Sequence, residues 1–167
     1  MSIVSVGALS FGFEPDWEVC KYDDWAFYKR QFQRARIGIK AIDLLALAPE
    51  KTLYLIEIKD YREHIRTKPS ELDDEICCKI LDTLAALLPA KVNARTGGEK
   101  AFAAGATAAV GLKVVLHLEQ PAKHSRLRPR AIDPSSVQLK LRQRLKAIDA
   151  HPEVHERGGL RLRWTVS

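Results

Sequence analysis

The chain has 167 residues, of which 46% are hydrophobic and 29% charged, with a formal net charge of +6. That apolar content excludes wholesale disorder, and the length fits a single domain, 1–167. No window approaches the ~18 uninterrupted apolar residues of a membrane span, and the opening MSIVSVGALSFGFEPDW lacks the basic leader of a signal peptide.

In chain order, residues 3–13 are β-prone and predict a strand or an irregular lead-in. Residues 17–22 alternate as a short strand, and Asp23 and Asp24 stand where a helix over 24–35 would be capped. A first strand arm follows over 36–47, then the turn APEKT, then a second arm over 53–60, LYLIEIKD. Pro69 and Ser70 announce a helix over 70–88 with acids crowding its first turns, and Pro89 interrupts the helical pattern. Gly97-Gly98 opens an Ala-rich helix, and GLKVVLHLE, 111–119, reads as an interior strand. Beyond a basic loop over 121–134, a capped amphipathic helix covers 135–150 and a strand covers 160–166. The expected fold is α/β: a small mixed sheet with a central β-hairpin flanked by helices. Its core spans about 17–120, with a basic C-terminal extension over 121–167.

Cys20, Cys77 and Cys78 cannot form a disulfide framework and lack metal-site spacing, which suits small core residues in a reducing cytoplasm. His151 and His155 flank Pro152 without an HExxH pattern and read as surface residues. Trp17, Trp25, Phe27, Tyr28 and Phe32 read as core or interface residues rather than base-stacking platforms.

Charges inside the second arm need a reason. On the first arm Ile37, Ile39, Ala41, Asp43, Leu45 and Leu47 share a face; on the second, Leu53, Leu55, Glu57 and Lys59 do. If Leu47 pairs with Leu53, Asp43 falls opposite Glu57, with Cβ atoms about 4.5–5.5 Å apart. Lys59 follows on the same face, roughly 6.5–7 Å along. Two carboxylates beside one ammonium leave an apolar face with excess negative charge. A hard divalent cation, Mg²⁺ or Mn²⁺, resolves that excess. Such an ion polarises phosphoryl oxygens, and a neighbouring lysine orients water or stabilises developing charge. The alternative is a structural salt bridge at a strand end.

Asp43, thirteen intervening residues and then Glu57-Ile58-Lys59 resemble the PD-(D/E)XK nuclease superfamily, which includes restriction enzymes, Holliday-junction resolvases and repair exonucleases. The resemblance implies a restriction-endonuclease-like core, metal binding by Asp43 and Glu57, and a Lys59 that positions or activates water. It implies a further acid near the first helix, for which Asp23 and Asp24 are the candidates, with capping the competing role. Ile42 stands where the naming Pro would be, and the Gln-and-Tyr helix motif of the repair-exonuclease branch is absent after Lys59.

Lys123, Arg126, Arg128 and Arg130, with His124, form a basic loop, and Lys140, Arg142, Arg144 and Lys146 follow on the helix; the reading is a phosphate-contacting patch. Tyr61, Arg62 and His64 either meet substrate or end the strand. The expected activity is metal-dependent hydrolysis of nucleic acid, DNA before RNA, by a homodimer or within a larger defence or repair assembly. A non-catalytic nucleic-acid-binding or assembly protein on the same scaffold is the rival. An interaction protein without nucleic acid is the third reading.

Overall fold

The computed structural model describes residues 1–127, 129–159 and 162–167. Among these, the fold is mixed α/β, with two sheets and four α-helices. The larger sheet has five strands in the order β3 (Glu18–Lys21), β4 (Leu44–Leu47), β5 (Thr52–Asp60), β6 (Gly111–Glu119) and β7 (Glu153–His155). The first three run antiparallel, whereas β6 is parallel to β5 and β7 to β6. The parallel step needs a crossover, supplied by α2 (Leu72–Asn93) and α3 (Gly97–Thr107).

The central strands are covered on both faces, so their sequences read as nearly continuous apolar runs. Alternation assigns each residue to a side. Leu45, Leu47, Leu53, Leu55, Val114, Leu116 and Leu118 pack beneath the helices. Leu44, Ala46, Tyr54, Ile56, Ile58 and Val115 pack against a second sheet, with Leu9, Phe11, Phe13 and Trp164. That second sheet is the hairpin β1 (Ser2–Val6) and β2 (Leu9–Phe13), joined by β8 (Thr165–Val166). The lead-in expected over 3–13 is therefore a hairpin, turning at Gly7 with φ of +59°, a conformation Gly adopts without steric cost.

Several elements depart from the sequence expectation. The helix expected over 24–35 is broken into a 3-10 turn, Tyr22–Asp24, the short α1 (Ala26–Arg30), and another 3-10 turn, Phe32–Arg34. The arm expected over 36–47 is a strand only from Leu44. Before it, the Lys40 and Ile42 N–H groups bond to the Asp82 and Thr83 side chains on α2 rather than to a neighbouring strand. Ile37 is 98% exposed, so the shared face begins later than alternation implied. Helix α2 runs through Pro89. The bond that Pro89 cannot donate belongs to the carbonyl of Ala85, an exposed position open to solvent.

The segment 121–167 is woven into the domain. Helix α4 (Pro134–Leu145) is capped by Asp133, which accepts from the Ser135 and Ser136 N–H groups. It buries Val137, Leu141 and Leu145 in the helix-side core, while β7 and β8 each join a sheet. Of the strand expected over 160–166, only Thr165–Val166 is seen, and Leu160 and Arg161 lie outside the described residues. Among the cysteines, Cys77 is buried and Cys20 half-buried, but Cys78 is exposed, contrary to the core expectation. His155 is half-buried in β7 beside Glu153, not a free surface residue. Trp25, Phe27 and Tyr28 lie in the core, with Trp17 and Phe32 at its margin.

Candidate active site

The hairpin register is the one the pattern implied. Leu47 pairs with Leu53 and Leu44 with Ile56. Asp43 is the next residue, one step beyond the ladder. Its Oδ2 accepts the Ile58 N–H at 2.7 Å, so a side-chain carboxylate replaces the strand bond where β4 ends. Its own carbonyl accepts from the Tyr22 N–H at 3.1 Å, which ties the 3-10 turn holding Asp23 to the same corner.

Glu57 lies on the helix-facing side of β5 and is completely buried. Its Oε1 takes the Lys59 ammonium at 2.8 Å and the Lys79 ammonium at 2.5 Å. Lys79 also stands 3.6 Å from Asp43 Oδ1. One ammonium therefore stands between the two carboxylates, which meet at the same corner. Glu57 Oε2 is buried without any partner. Burial, and then the charge of Asp43, push the Glu57 carboxyl above its ordinary range against the pull of Lys79 and Lys59.

Lys59 continues along the same face and binds Glu75 at 2.9 Å. Burial works against its charge, but Glu57 and Glu75 prevail and raise its pKa above the ordinary lysine value. Lys59 is thus an ammonium throughout the neutral range, suited to stabilising negative charge rather than to taking a proton.

Two residues here had no signal in the sequence beyond helical spacing. Glu75 and Lys79 sit one turn apart on α2 and reach down onto β5. Glu75 reads in the sequence as one of several acids favoured by the helix dipole; it is in fact buried and also bound by Arg66 and Lys68 at 2.9 and 2.8 Å. Burial opposes its charge, yet Lys59, Lys68 and Arg66 hold its carboxyl well below the ordinary range. Above this floor lies an open cleft of about 300 Å³ lined by Asp23, Tyr28, Asp43, Lys68, Glu75 and Lys79 among others. Glu57 sits behind Lys79, sealed from the cleft.

The two further acids part company. Asp23 lines the cleft, its Oδ1 is buried and unpartnered, and burial followed by Asp43 and Asp24 raises its pKa. Asp24 is exposed and pairs with Lys21 and Lys29. Neither caps a helix: no side-chain cap bond forms at the 3-10 turn or at α1, and Glu99 of α3 accepts the Ala26 and Phe27 N–H groups instead.

The basic residues are also unequal. Lys123 and Arg126 are exposed, and Arg128 lies outside the described residues. Arg130 is paired to Glu156 and donates to the Pro121 carbonyl. Arg62 folds back on Asp60 with two side-chain bonds. On α4, Lys140 and Arg144 bind Glu71, Asp73 and Asp74 at the start of α2, so they clamp two helices together rather than stand open for phosphate.

Among the described residues, no group of three or more His, Cys, Asp or Glu is disposed to hold a metal on its own. The oxygen donors present are Asp43 and Asp23 on the cleft wall and, behind Lys79, the buried Glu57 with one unpartnered oxygen. That set fits a hard cation completed by water and substrate oxygens, the usual habit of Mg²⁺. It does not fit a closed structural metal.

No known family profile matches the chain. It is 35% identical over 164 residues to a cysteine–tRNA ligase of Neisseria meningitidis serogroup A, a match covering 80% of this chain and 23% of that protein. The chain thus spans less than a quarter of the length of the curated relative it matches. No solved structure matches.

Proposed function

We propose that the chain is a metal-dependent nuclease with a restriction-endonuclease-like core, hydrolysing phosphodiester bonds of nucleic acid, DNA before RNA. The observation that carries this reading is the buried Glu57 carboxylate, with one oxygen unpartnered and the other sharing the Lys79 ammonium with Asp43. Burying the Glu57 carboxylate with one oxygen unpartnered, next to a second carboxylate, is costly unless further positive charge joins it. Asp43 and Glu57 would hold Mg²⁺ or Mn²⁺, which when bound supplies Lewis-acid polarisation of a phosphoryl oxygen and a more acidic water. Asp23, on the same cleft, would add a further acid. Lys59, kept protonated by Glu57 and Glu75, would offset the negative charge that develops on the phosphoryl oxygens. The order β4, β5, α2, then β6 parallel to β5, supports the core resemblance.

The non-catalytic rival has one observation in its favour. Asp43 already closes the end of the β4–β5 ladder, and Lys59 and Lys79 are already paired, so the corner can serve as a closed ion network. The partial match to a cysteine–tRNA ligase bears on neither reading but adds tRNA to the substrates worth trying.

The test is cleavage of single-stranded, double-stranded and branched DNA and of tRNA with Mg²⁺ or Mn²⁺, beside Lys59→Ala. Cleavage by the wild type and its loss in Lys59→Ala is the expected result. Equal activity in both would remove the mechanism, and binding without cleavage by the wild type would favour the rival.

A further inference from the structure

Helix α2 is apolar on two opposite faces. One face buries Leu72, Ile76, Ile80, Ala86, Leu87 and Ala90 against the sheet and α3. The other carries Cys78, Leu81, Ala85, Leu88 and Val92, spaced by three, four, three and four residues. All five are exposed; Leu81, Leu88 and Val92 are 55%, 61% and 59% accessible. Spacing of this kind draws a single seam along a helix, the pattern that packs against another helix. The seam is about 21 Å long at 1.5 Å per residue. Glu75 and Lys79 leave α2 from a different side, so whatever covers the seam leaves the acidic corner open.

We propose that this face is the contact between two copies of the chain, with the α2 helices antiparallel about a two-fold axis at Ala85. The seam is close to palindromic about that position. Antiparallel pairing sets Leu81 of one copy near Leu88 of the other and Cys78 near Val92, with the small Ala85 at the centre where the backbones approach most closely.

Charge selects the direction. The N-terminal end of α2 holds Glu71, Asp73 and Asp74, only partly offset by Lys140 and Arg144. The C-terminal end carries the exposed Lys91 and, just beyond it, Arg95. An antiparallel pair brings acids against bases at both ends and opposes the helix dipoles favourably; a parallel pair does neither. A seam this short gives an association in the micromolar range rather than an obligate dimer. The dimer is independent of the chemistry proposed for the acidic corner.

Sedimentation equilibrium of the full chain across the micromolar range tests this, with Leu88→Lys alongside. Because Leu88 is exposed within one copy, the variant keeps the wild-type circular dichroism and melting temperature while its association weakens at least tenfold. A wild type that stays monomeric throughout, or a Leu88→Lys variant that dimerises as well as wild type, overturns the proposal. For direction, the Val92→Cys variant is oxidised and its cross-linked peptides identified. A link from Cys78 of one copy to the thiol introduced at position 92 of the other is expected. Links joining only like positions, Cys78 to Cys78 and the introduced thiol to its own counterpart, would reverse the orientation and overturn the antiparallel pair.

Discussion

The Lys79 ammonium lies 2.5 Å from Glu57 Oε1 and 3.6 Å from Asp43 Oδ1, so a helix side chain occupies the place between two carboxylates carried by the hairpin. Lys79 and Lys59 neutralise the acids here. A divalent ion held as proposed would displace Lys79 toward the cleft it already lines.

Lys79→Met keeps the aliphatic stem and removes the charge. In the absence of divalent ions it should lose about 1–3 kcal/mol, less than the full cost of orphaning a buried charge because Lys59 remains on Glu57. Millimolar Mn²⁺ should restore much of that loss. Thermal melts with and without the ion measure it; an unchanged melting temperature in both would show that Lys79 is not the counter-ion.

Glu75 gives the fold a specific acid sensitivity. Its folded pKa is depressed, so the stability it contributes is fully present above its unfolded value of about 4.3 and is lost as pH falls through the folded value. Glu75→Gln should therefore be about 1–3 kcal/mol less stable than wild type at pH 7. The difference should shrink progressively below about pH 4. Urea unfolding at a series of pH values checks the sign.

Asp23 and Asp24 are adjacent in sequence but differ in environment. Asp23→Asn should reduce metal-dependent cleavage about tenfold or more, and Asp24→Asn should leave it within about twofold, because only Asp23 faces the cleft. Initial rates at fixed Mn²⁺ separate them.

For nucleic-acid binding, the exposed Lys123 and Arg126 should each lower the salt dependence of affinity by about 0.9 in slope when changed to Ala. Arg130→Ala should chiefly loosen the 121–134 loop, since its guanidinium is committed to Glu156 and Pro121. Affinity measured against salt concentration distinguishes the two effects.

Much of this arrangement is legible in the sequence. The apolar runs of β5 and β6 and the turn between β4 and β5 fix the register, and with it the nearness of Asp43 and Glu57. The residues 36–42 mislead because the Lys40 and Ile42 donors are taken by Asp82 and Thr83, which no local pattern announces. Glu75 and Lys79 are hidden for a related reason. On α2 they are an ordinary acid and an ordinary base at helical spacing, and only the placement of that helix over Glu57 and Lys59 makes them part of the site. Likewise Lys140 and Arg144 read as a phosphate patch until α4 is seen against the acidic start of α2. What periodicity conveys is which face is inward; which charges meet there is settled by packing between distant elements.

Calorimetric titration of Mn²⁺ into the wild type, Lys79→Met and Glu57→Gln tests the acidic corner most directly. One site in the wild type, tighter binding in Lys79→Met and none in Glu57→Gln is the predicted result. Absence of binding in both the wild type and Lys79→Met, or undiminished binding in Glu57→Gln, would contradict a cation site built on Asp43 and Glu57.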